Sequence, residues 1–370
     1  MSLSSRERER YQRHLSLVEI GAAGQERLKA ARVLVVGAGG LGSPAALYLA
    51  AAGCGTLGLL DYDKVELSNL QRQVLFDTDA LSRSKAEAGA ERLARLNPDV
   101  RIVAHPLELR AANVRELFAQ YDLVLDGTDR LATRYLINDA CVILAKPLVS
   151  AAIHRFEGQL LTYVPGKGPC YRCVFPHSAQ GLIANCAEAG VLGVLPGVLG
   201  TLQATEALKL ITGIGEPLIG RLLTYDALAM AFDEFRVARR SDCAVCGTAP
   251  SITAPRDPPP VVGLRRVDAG ALHELLRTAG ASAPRLVDVR EPQEFTAGHL
   301  AGAVNIPLGQ LPRRLAEIGP ASAPVFICRS GGRSLAACQI ALAAGVAAPT
   351  NLEGGMLAWA AQVDPSIAVL

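Results

Sequence analysis

The chain carries almost no net charge: 37 lysines and arginines against 35 aspartates and glutamates leave +2 over 370 residues. That balance gives no electrostatic reason to expect a nucleic-acid surface or an anionic membrane as partner. Charged residues are also scarce, at 19%, while half of all residues are hydrophobic, a composition that excludes a disordered chain. The opening MSLSSRERERYQR lacks an apolar core and a small-residue cleavage site, so no secretory signal is read there and a cytoplasmic location is expected. Uninterrupted membrane-length apolar runs are missing too. Val33 to Leu60 is uncharged but is broken by Gly37, Gly39, Gly40, Gly42, Gly53 and Gly55, and Ala189 to Thr205 contains Pro196 and four glycines; both suit a buried α/β core better than a bilayer span. No solenoid-type repeat is present.

A chain of this length exceeds the size at which single cores stop growing, so two domains are expected. Arg32 to Val36 reads as a strand running into Gly37-Ala38-Gly39-Gly40-Leu41-Gly42, followed by an alanine-rich helix and a strand from Leu57 to Leu60 that ends at Asp61. Ser84 to Leu96 has helical spacing, Val100 to Ala104 and Asp122 to Asp126 read as strands, and a helix is expected from about Leu131 to Leu144. This alternation predicts an α/β fold, a Rossmann-like doubly wound and mostly parallel sheet covered by helices on both faces. Residues 249–263, APSITAPRDPPPVVG, form a proline-rich seam able to reach roughly 45 Å at ~3.1 Å per residue. The expected organisation is therefore a domain over 1–248, this linker, and a second domain over 264–370 with strands at Arg285 to Val289 and Val325 to Cys328.

The glycine loop after a strand and before a helix offers backbone N–H groups and a helix N-terminus to phosphates. A dinucleotide-binding dehydrogenase has the same loop, and Asp61 suits a ribose hydroxyl in either case. The next segment separates the two: Asp61 to Gln73 crowds Asp63, Ser68, Asn69, Leu70, Gln71 and Arg72 just past the strand, and Lys85 opens the next helix. Two cations beside a polyphosphate suit nucleotidyl transfer, because they stabilise charge on the pentavalent phosphorus and the departing pyrophosphate. Asp129, two residues past Gly127 at a strand end, offers a hard oxygen to Mg²⁺.

Nine cysteines in a cytosolic chain read as ligands or nucleophiles rather than disulfides. Cys54, Cys141 and Cys338 sit among aliphatic residues and read as small core side chains. Cys170-x-x-Cys173 and Cys243-x-x-Cys246 form a four-thiolate set, each turn biting one edge of a tetrahedron, which predicts a closed structural Zn²⁺ site. A redox role for each pair is the alternative. Cys186 lies in a small-residue stretch without a CxxC partner, and an inert thiol remains its alternative to chemistry.

The first 250 residues resemble the ThiF/MoeB/HesA adenylyltransferases, bacterial relatives of ubiquitin-activating enzymes, at GAGGLG, DYDKVELSNLQRQ, DGTD and both CxxC pairs. The resemblance implies Gly40 beside ATP, Asp61 on the ribose, Ser68 to Arg72 and Lys85 around the phosphates, and Asp129 on Mg²⁺. It further implies a homodimer in which Arg13 completes the partner's phosphate site, and a crossover-loop thiol at Cys186 able to form a thioester or resolve an acyl disulfide. Arg130 stands where the family usually has asparagine.

Val325-Phe-Ile-Cys328-Arg329-Ser330-Gly331-Gly332-Arg333 is a strand entering a glycine-containing loop at a helix start. Successive N–H groups and the helix dipole there stabilise an anionic sulfur. Four residues separate Cys328 from Arg333, a tighter ring than the phosphate-encircling loop of a phosphatase. With the segments from Asp288 to Gly302 and from Leu352 to Trp359, the C-terminal domain resembles the rhodaneses, which implies Cys328 as persulfide carrier. The six histidines show no ligand spacing and receive no role.

These readings predict an ATP-dependent enzyme that adenylates the C-terminal Gly-Gly carboxylate of a small ubiquitin-like sulfur carrier and then transfers persulfide sulfur to give a thiocarboxylate. The sulfur donor is thiosulfate or a cysteine desulfurase, and the pathway is left open between molybdopterin, thiamine, amino-acid biosynthesis and tRNA thiolation. The alternatives are an NAD-dependent oxidoreductase and a non-catalytic carrier-docking protein.

Overall fold

The computed structural model describes residues 2–176, 190–257, 264–280, 283–319 and 323–369. The described residues fall into two compact units, 2–176 with 190–257 in one and those from 264 onward in the other, so the division falls within the proline-rich seam.

In the first unit β1 (Arg32–Val36), β2 (Thr56–Leu60), β3 (Arg101–His105), β4 (Leu123–Asp126), β5 (Leu148–His154), β6 (Glu157–Tyr163), β7 (Arg221–Asp226) and β8 (Ala231–Arg236) form one sheet in the order 3-2-1-4-5-6-7-8. The strands from β3 through β5 are parallel, and β6 to β8 continue the sheet antiparallel. The parallel part is buried on both faces because successive side chains point to opposite sides. Val33 and Val35 join one core, while Leu34 and Val36 join the other.

On the first face lie the helices Gly42–Ala51 and Leu195–Thr212. Ala45, Ala46, Leu49 and Ala50 are fully buried there, and Gly200 lets the second helix approach so closely that a Cβ would sit 2.3 Å from the Leu41 carbonyl oxygen. Helices Val114–Ala119 and Leu131–Ile143 cover the other face. The chain runs from β1 outward through β2 and β3, then returns to place β4 on the opposite side of β1. The crevice between the C-terminal ends of β1 and β4 is thus the switch point where ligands bind in such sheets.

The second unit is a five-stranded parallel sheet of β9 (Arg265–Val267), β10 (Leu286–Asp288), β11 (Val304–Asn305), β12 (Val325–Ile327) and β13 (Thr350–Leu352), in the order 11-10-12-13-9. Phe326 faces one buried cluster, and Val325 and Ile327 face the other. Among the described residues no helix is long and apolar enough to cross a membrane.

Candidate active site

At the end of β1 the chain turns through Gly37, whose φ of +89° favours glycine. A Cβ on Gly42 would lie 1.8 Å from the Gly37 carbonyl oxygen, so the loop closes only with glycine there. The helix Gly42–Ala51 follows directly, its first N–H groups at the mouth of the crevice. Asp61, at the end of β2, is buried and ties the loop in place: its Oδ2 accepts from the Ala38 N–H at 2.8 Å and its Oδ1 from the Asp63 N–H at 2.8 Å. Burial is the largest influence on this carboxyl and pushes its pKa up, against the opposing pull of Lys85 and the two N–H donors.

Lys85 is the first residue of helix Lys85–Leu96 and is nearly enclosed, with its Nζ 3.1 Å from the half-exposed Asp63 carboxylate. The segment from Leu67 to Gln73 folds across the glycine loop. A Cβ on Gly40 would meet Arg72 Cγ at 3.7 Å and one on Gly39 would meet Gln73 Nε2 at 3.6 Å. Arg72 is held by a bond from its Nη1 to the Ser68 carbonyl, 3.0 Å. Asn69 is buried and receives the Glu66 N–H, whereas Ser68 and Gln71 are exposed and Leu70 is half-buried.

Within Asp126-Gly-Thr-Asp129 the two carboxylates have separate fates. Asp126 has no exposed surface and accepts from Thr128 at both its N–H and Oγ1, from Ser150 Oγ at 2.8 Å, and pairs with Arg134 at 3.4 Å. Asp129 is exposed just past β4, beside the Gly127 backbone that packs against Gly37. Arg130 is exposed, 3.4 Å from Glu108, with its guanidinium 5.7 Å from the Tyr62 ring centroid. This pairing turns the unusual arginine toward the ends of β2 and β3. The loop, Asp61, Asp63, Lys85, Asn69 and Arg72 thus form one contiguous set at the switch point. Arg13 is exposed on the short helix Gln12–Leu15 and is not part of that set. Cys186 lies outside the described residues.

Sequence reasoning did not assign a role to Gln73, which is buried with an unpartnered Oε1, or to Arg134 and Ser150, which anchor Asp126. Gln73 ends the DYDKVELSNLQRQ segment that carries the family resemblance, and the folded segment shows that its amide lies at the glycine loop.

Cys170, Cys173, Cys243 and Cys246 are all buried, with their sulfurs within 4.8 Å of one another. Neighbouring Sγ pairs are 3.4 Å, 3.6 Å and 3.9 Å apart, close to the ~3.8 Å edge of a tetrahedron with ~2.3 Å metal–sulfur bonds. The Arg240 N–H donates to Cys173 Sγ at 3.4 Å, which suits a thiolate ligand. The donor set therefore fits a closed tetrahedral metal site, whereas Cys54, Cys141 and Cys338 are core side chains.

In the second unit Cys328 follows β12 and is buried. Its Sγ accepts from the Gly331 N–H at 3.1 Å and from Ser334 Oγ at 3.3 Å. Gly331 has φ +97° and caps helix Gly332–Ala343, so the loop turns its N–H inward onto the sulfur. Arg333 points to Glu294, with Nη1–Oε2 at 2.6 Å and Nη2–Oε1 at 2.7 Å. Burial pushes the Glu294 carboxyl up, but the hydrogen bonds from Arg333 and the Glu291 N–H prevail and hold it below its ordinary value. Cys328, Gly331 and Ser334 are thus brought together, while Arg333 pairs with Glu294, with Arg329 half-buried and Ser330 exposed in the same loop.

Residues 11–245 match the ThiF family and residues 268–362 match the rhodanese-like domain. The probable adenylyltransferase/sulfurtransferase MoeZ of Mycobacterium tuberculosis is 41% identical over 384 residues, 99% of this chain and 96% of that one. The adenylyltransferase and sulfurtransferase MOCS3 of Aedes aegypti is 41% identical over 392 residues, 99% of this chain and 90% of that one. Among solved structures, E. coli MccB with MccA-N7isoASN aligns with a TM-score of 0.59 and 24% identity over 64% of this chain and 74% of that one, a likeness of fold. The chain belongs to the ThiF family, as an adenylyltransferase and sulfurtransferase that carries a rhodanese-like domain.

Proposed function

We propose that this enzyme adenylates the C-terminal Gly-Gly carboxylate of a small ubiquitin-like sulfur-carrier protein and then converts it to a thiocarboxylate. The observation that carries this reading is the convergence of Asp61, Lys85 and Arg72 on one glycine loop at the switch point, in a chain whose second unit cradles a thiol. In the first step a carboxylate oxygen attacks the α-phosphorus of ATP and pyrophosphate leaves. Lys85 and Arg72 offset charge on the phosphates, Asp61 takes the ribose hydroxyls, and the loop N–H groups bind phosphate oxygens. Gly37, Gly39, Gly40 and Gly42 leave room for the nucleotide, and residues 68–72 close over it. Mg²⁺ held by Asp129 would screen the triphosphate charge. Arg13 reaches the site from the second copy of a homodimer, and Zn²⁺ on the four cysteines is structural.

In the second step the Cys328 persulfide attacks the acyl carbonyl and AMP departs, leaving an acyl disulfide. A thiol, assigned to Cys186, then attacks Cys328 Sγ and releases the thiocarboxylate. The resulting Cys186–Cys328 disulfide is reduced by a cellular dithiol, and thiosulfate or a cysteine desulfurase reloads Cys328. The adenylyltransferase domain spans 1–248 and the rhodanese domain 264–370, with the linker 249–263 supplying reach. The names of the relatives support nucleotidyl and sulfur transfer over an NAD-dependent oxidoreductase or a passive docking protein.

The test is carrier-dependent exchange of labelled pyrophosphate into ATP, followed by mass spectrometry of the carrier in the full reaction. A gain of about 16 Da, one oxygen replaced by sulfur, is expected. Exchange without any such gain removes the sulfur step, and NAD(H) binding without exchange removes the whole reading.

A further inference from the structure

We infer that Glu294 is a specificity-determining residue of the sulfur-loading step. By clasping Arg333 it tunes the Cys328 loop to a donor that carries its sulfur as a thiol persulfide and against dianionic thiosulfate. The inference rests on the reading of Cys328 as persulfide carrier. Arg333 is the second residue of helix Gly332–Ala343, directly before Ser334, whose hydroxyl meets Cys328 Sγ at 3.3 Å. A guanidinium rooted there is the natural partner for an anion arriving at the sulfur. Instead its two Nη atoms are bound to the two oxygens of Glu294, at 2.6 Å and 2.7 Å. This fork-to-fork geometry is the strong form of an arginine–carboxylate pair.

The side chains of Arg333 and Glu294 are only 7% and 19% exposed, so solvent screens their attraction little. The carboxylate is also fixed from its own side. Its Oε2 accepts from the Glu291 N–H at 3.0 Å, which closes the first turn of helix Pro292–Ala297. Burial works against its charge, but the bonds from Arg333 and the Glu291 N–H, with the field of the buried Arg290, outweigh it.

The two classes of donor differ in the charge they bring. With thiosulfate, the Cys328 thiolate attacks the outer sulfur, a new S–S bond forms, the S–S bond of thiosulfate breaks, and sulfite leaves with the electron pair. A monoanion there meets a dianion. With a thiol persulfide, the thiolate attacks the terminal sulfur, the donor's own thiolate leaves with the electron pair, and the proton stays on the new persulfide. A single negative charge is carried through. A cation already neutralised by a carboxylate gives little to the first reaction and is not required by the second.

The experiment compares the full chain with Glu294→Gln, which keeps an acceptor for the Glu291 N–H but removes the charge that clasps Arg333, and Glu294→Asp, whose carboxylate is shorter. Sulfur transfer to cyanide, above the uncatalysed background, is measured with thiosulfate and with glutathione persulfide. The readout is the ratio of the two kcat/KM values, which cancels any loss of folded protein. Glu294→Gln should shift that ratio toward thiosulfate by roughly 10-fold or more, the worth of a hydrogen bond to a charged group, and Glu294→Asp should shift it the same way by less. Adding Arg333→Gln to Glu294→Gln should remove the shift, because the released cation is what thiosulfate gains. A Glu294→Gln ratio within about twofold of wild type, or moved toward the persulfide, overturns the inference, as does a shift that survives the loss of Arg333. Should the glutamine variant not fold, Glu294→Asp decides by the same criterion. Transfer by the wild type from neither donor overturns the carrier reading of Cys328 and the inference with it.

Discussion

The two units solve related problems with the same local device. In each, a parallel strand delivers the chain into a short glycine loop that opens a helix: Val36 into Gly37–Gly42 in one, Ile327 into Cys328–Arg333 in the other. The first loop is packed tightly around its glycines, and the cations Lys85 and Arg72 stand on neighbouring segments. In the second the space is filled by the protein's own sulfur, already receiving the Gly331 N–H and the Ser334 hydroxyl. The cation of that loop, Arg333, is turned away into a carboxylate. One loop offers backbone N–H groups with no thiol of its own, and the other turns an N–H onto a thiol of the chain itself.

The sharpest way to break this comparison is to remove the thiol. Cys328→Ser should reduce thiosulfate:cyanide sulfur transfer below about a thousandth of wild type while leaving pyrophosphate exchange unchanged; retained transfer would strip Cys328 of its role. Next in size is the metal. Cys170→Ala, or prolonged chelation, should release about one metal ion per chain and lower the stability of the first unit by several kcal/mol, read by metal analysis and thermal melting, with the second unit's sulfur transfer intact. If the melt of the first unit does not move, the four thiols are not a structural clamp.

A matched pair of glycine substitutions sharpens the parallel. Gly42→Ala puts a Cβ 1.8 Å from the Gly37 carbonyl, and Gly355→Ala puts one 2.3 Å from the Cys328 carbonyl at a φ of +58°. Each should cost about 1–3 kcal/mol and depress only its own unit's activity, exchange for the first and sulfur transfer for the second. Crossed effects would contradict the independence of the two loops.

The smallest expected effect concerns Glu294. Because Arg333 holds its carboxyl below the usual range, the ion pair stabilises the folded unit above the unfolded pKa of about 4.3 and loses that contribution as pH falls through the folded value. Glu294→Gln should therefore be less stable than wild type by about 1 kcal/mol near neutrality. The difference should shrink in acid-unfolding curves as pH falls through that lowered folded value, and a pH-independent difference would assign the effect to packing.

The features legible in the sequence were those written in contiguous residues. The glycine loop, the CxxC pairs and the cysteine loop each carry their geometry in spacing, and the strand β1 announces itself by an unbroken run of Val and Leu. The antiparallel extension β6 to β8 was not legible, because Gln159, Thr224 and Asp233 interrupt the apolar pattern at the sheet's exposed end. Arg333 was visible as a loop member, but its partner lies 39 residues away, a pairing that only the fold creates. Gln73 was visible as the end of the family-like segment, but the unpartnered state of its Oε1 appears only in the fold.

Cys170 and Cys243 are 73 positions apart along the chain yet 3.6 Å apart at sulfur. The helix Leu195–Thr212, which lies between them in the chain and sets Pro196 against Gly40, therefore belongs to a loop whose neck an ion would cinch. An ion there would bear on how many copies fold competently more than on how fast each one works. Supply of metal would in this way set the number of working copies, while supply of nucleotide and sulfur sets how fast each one turns over.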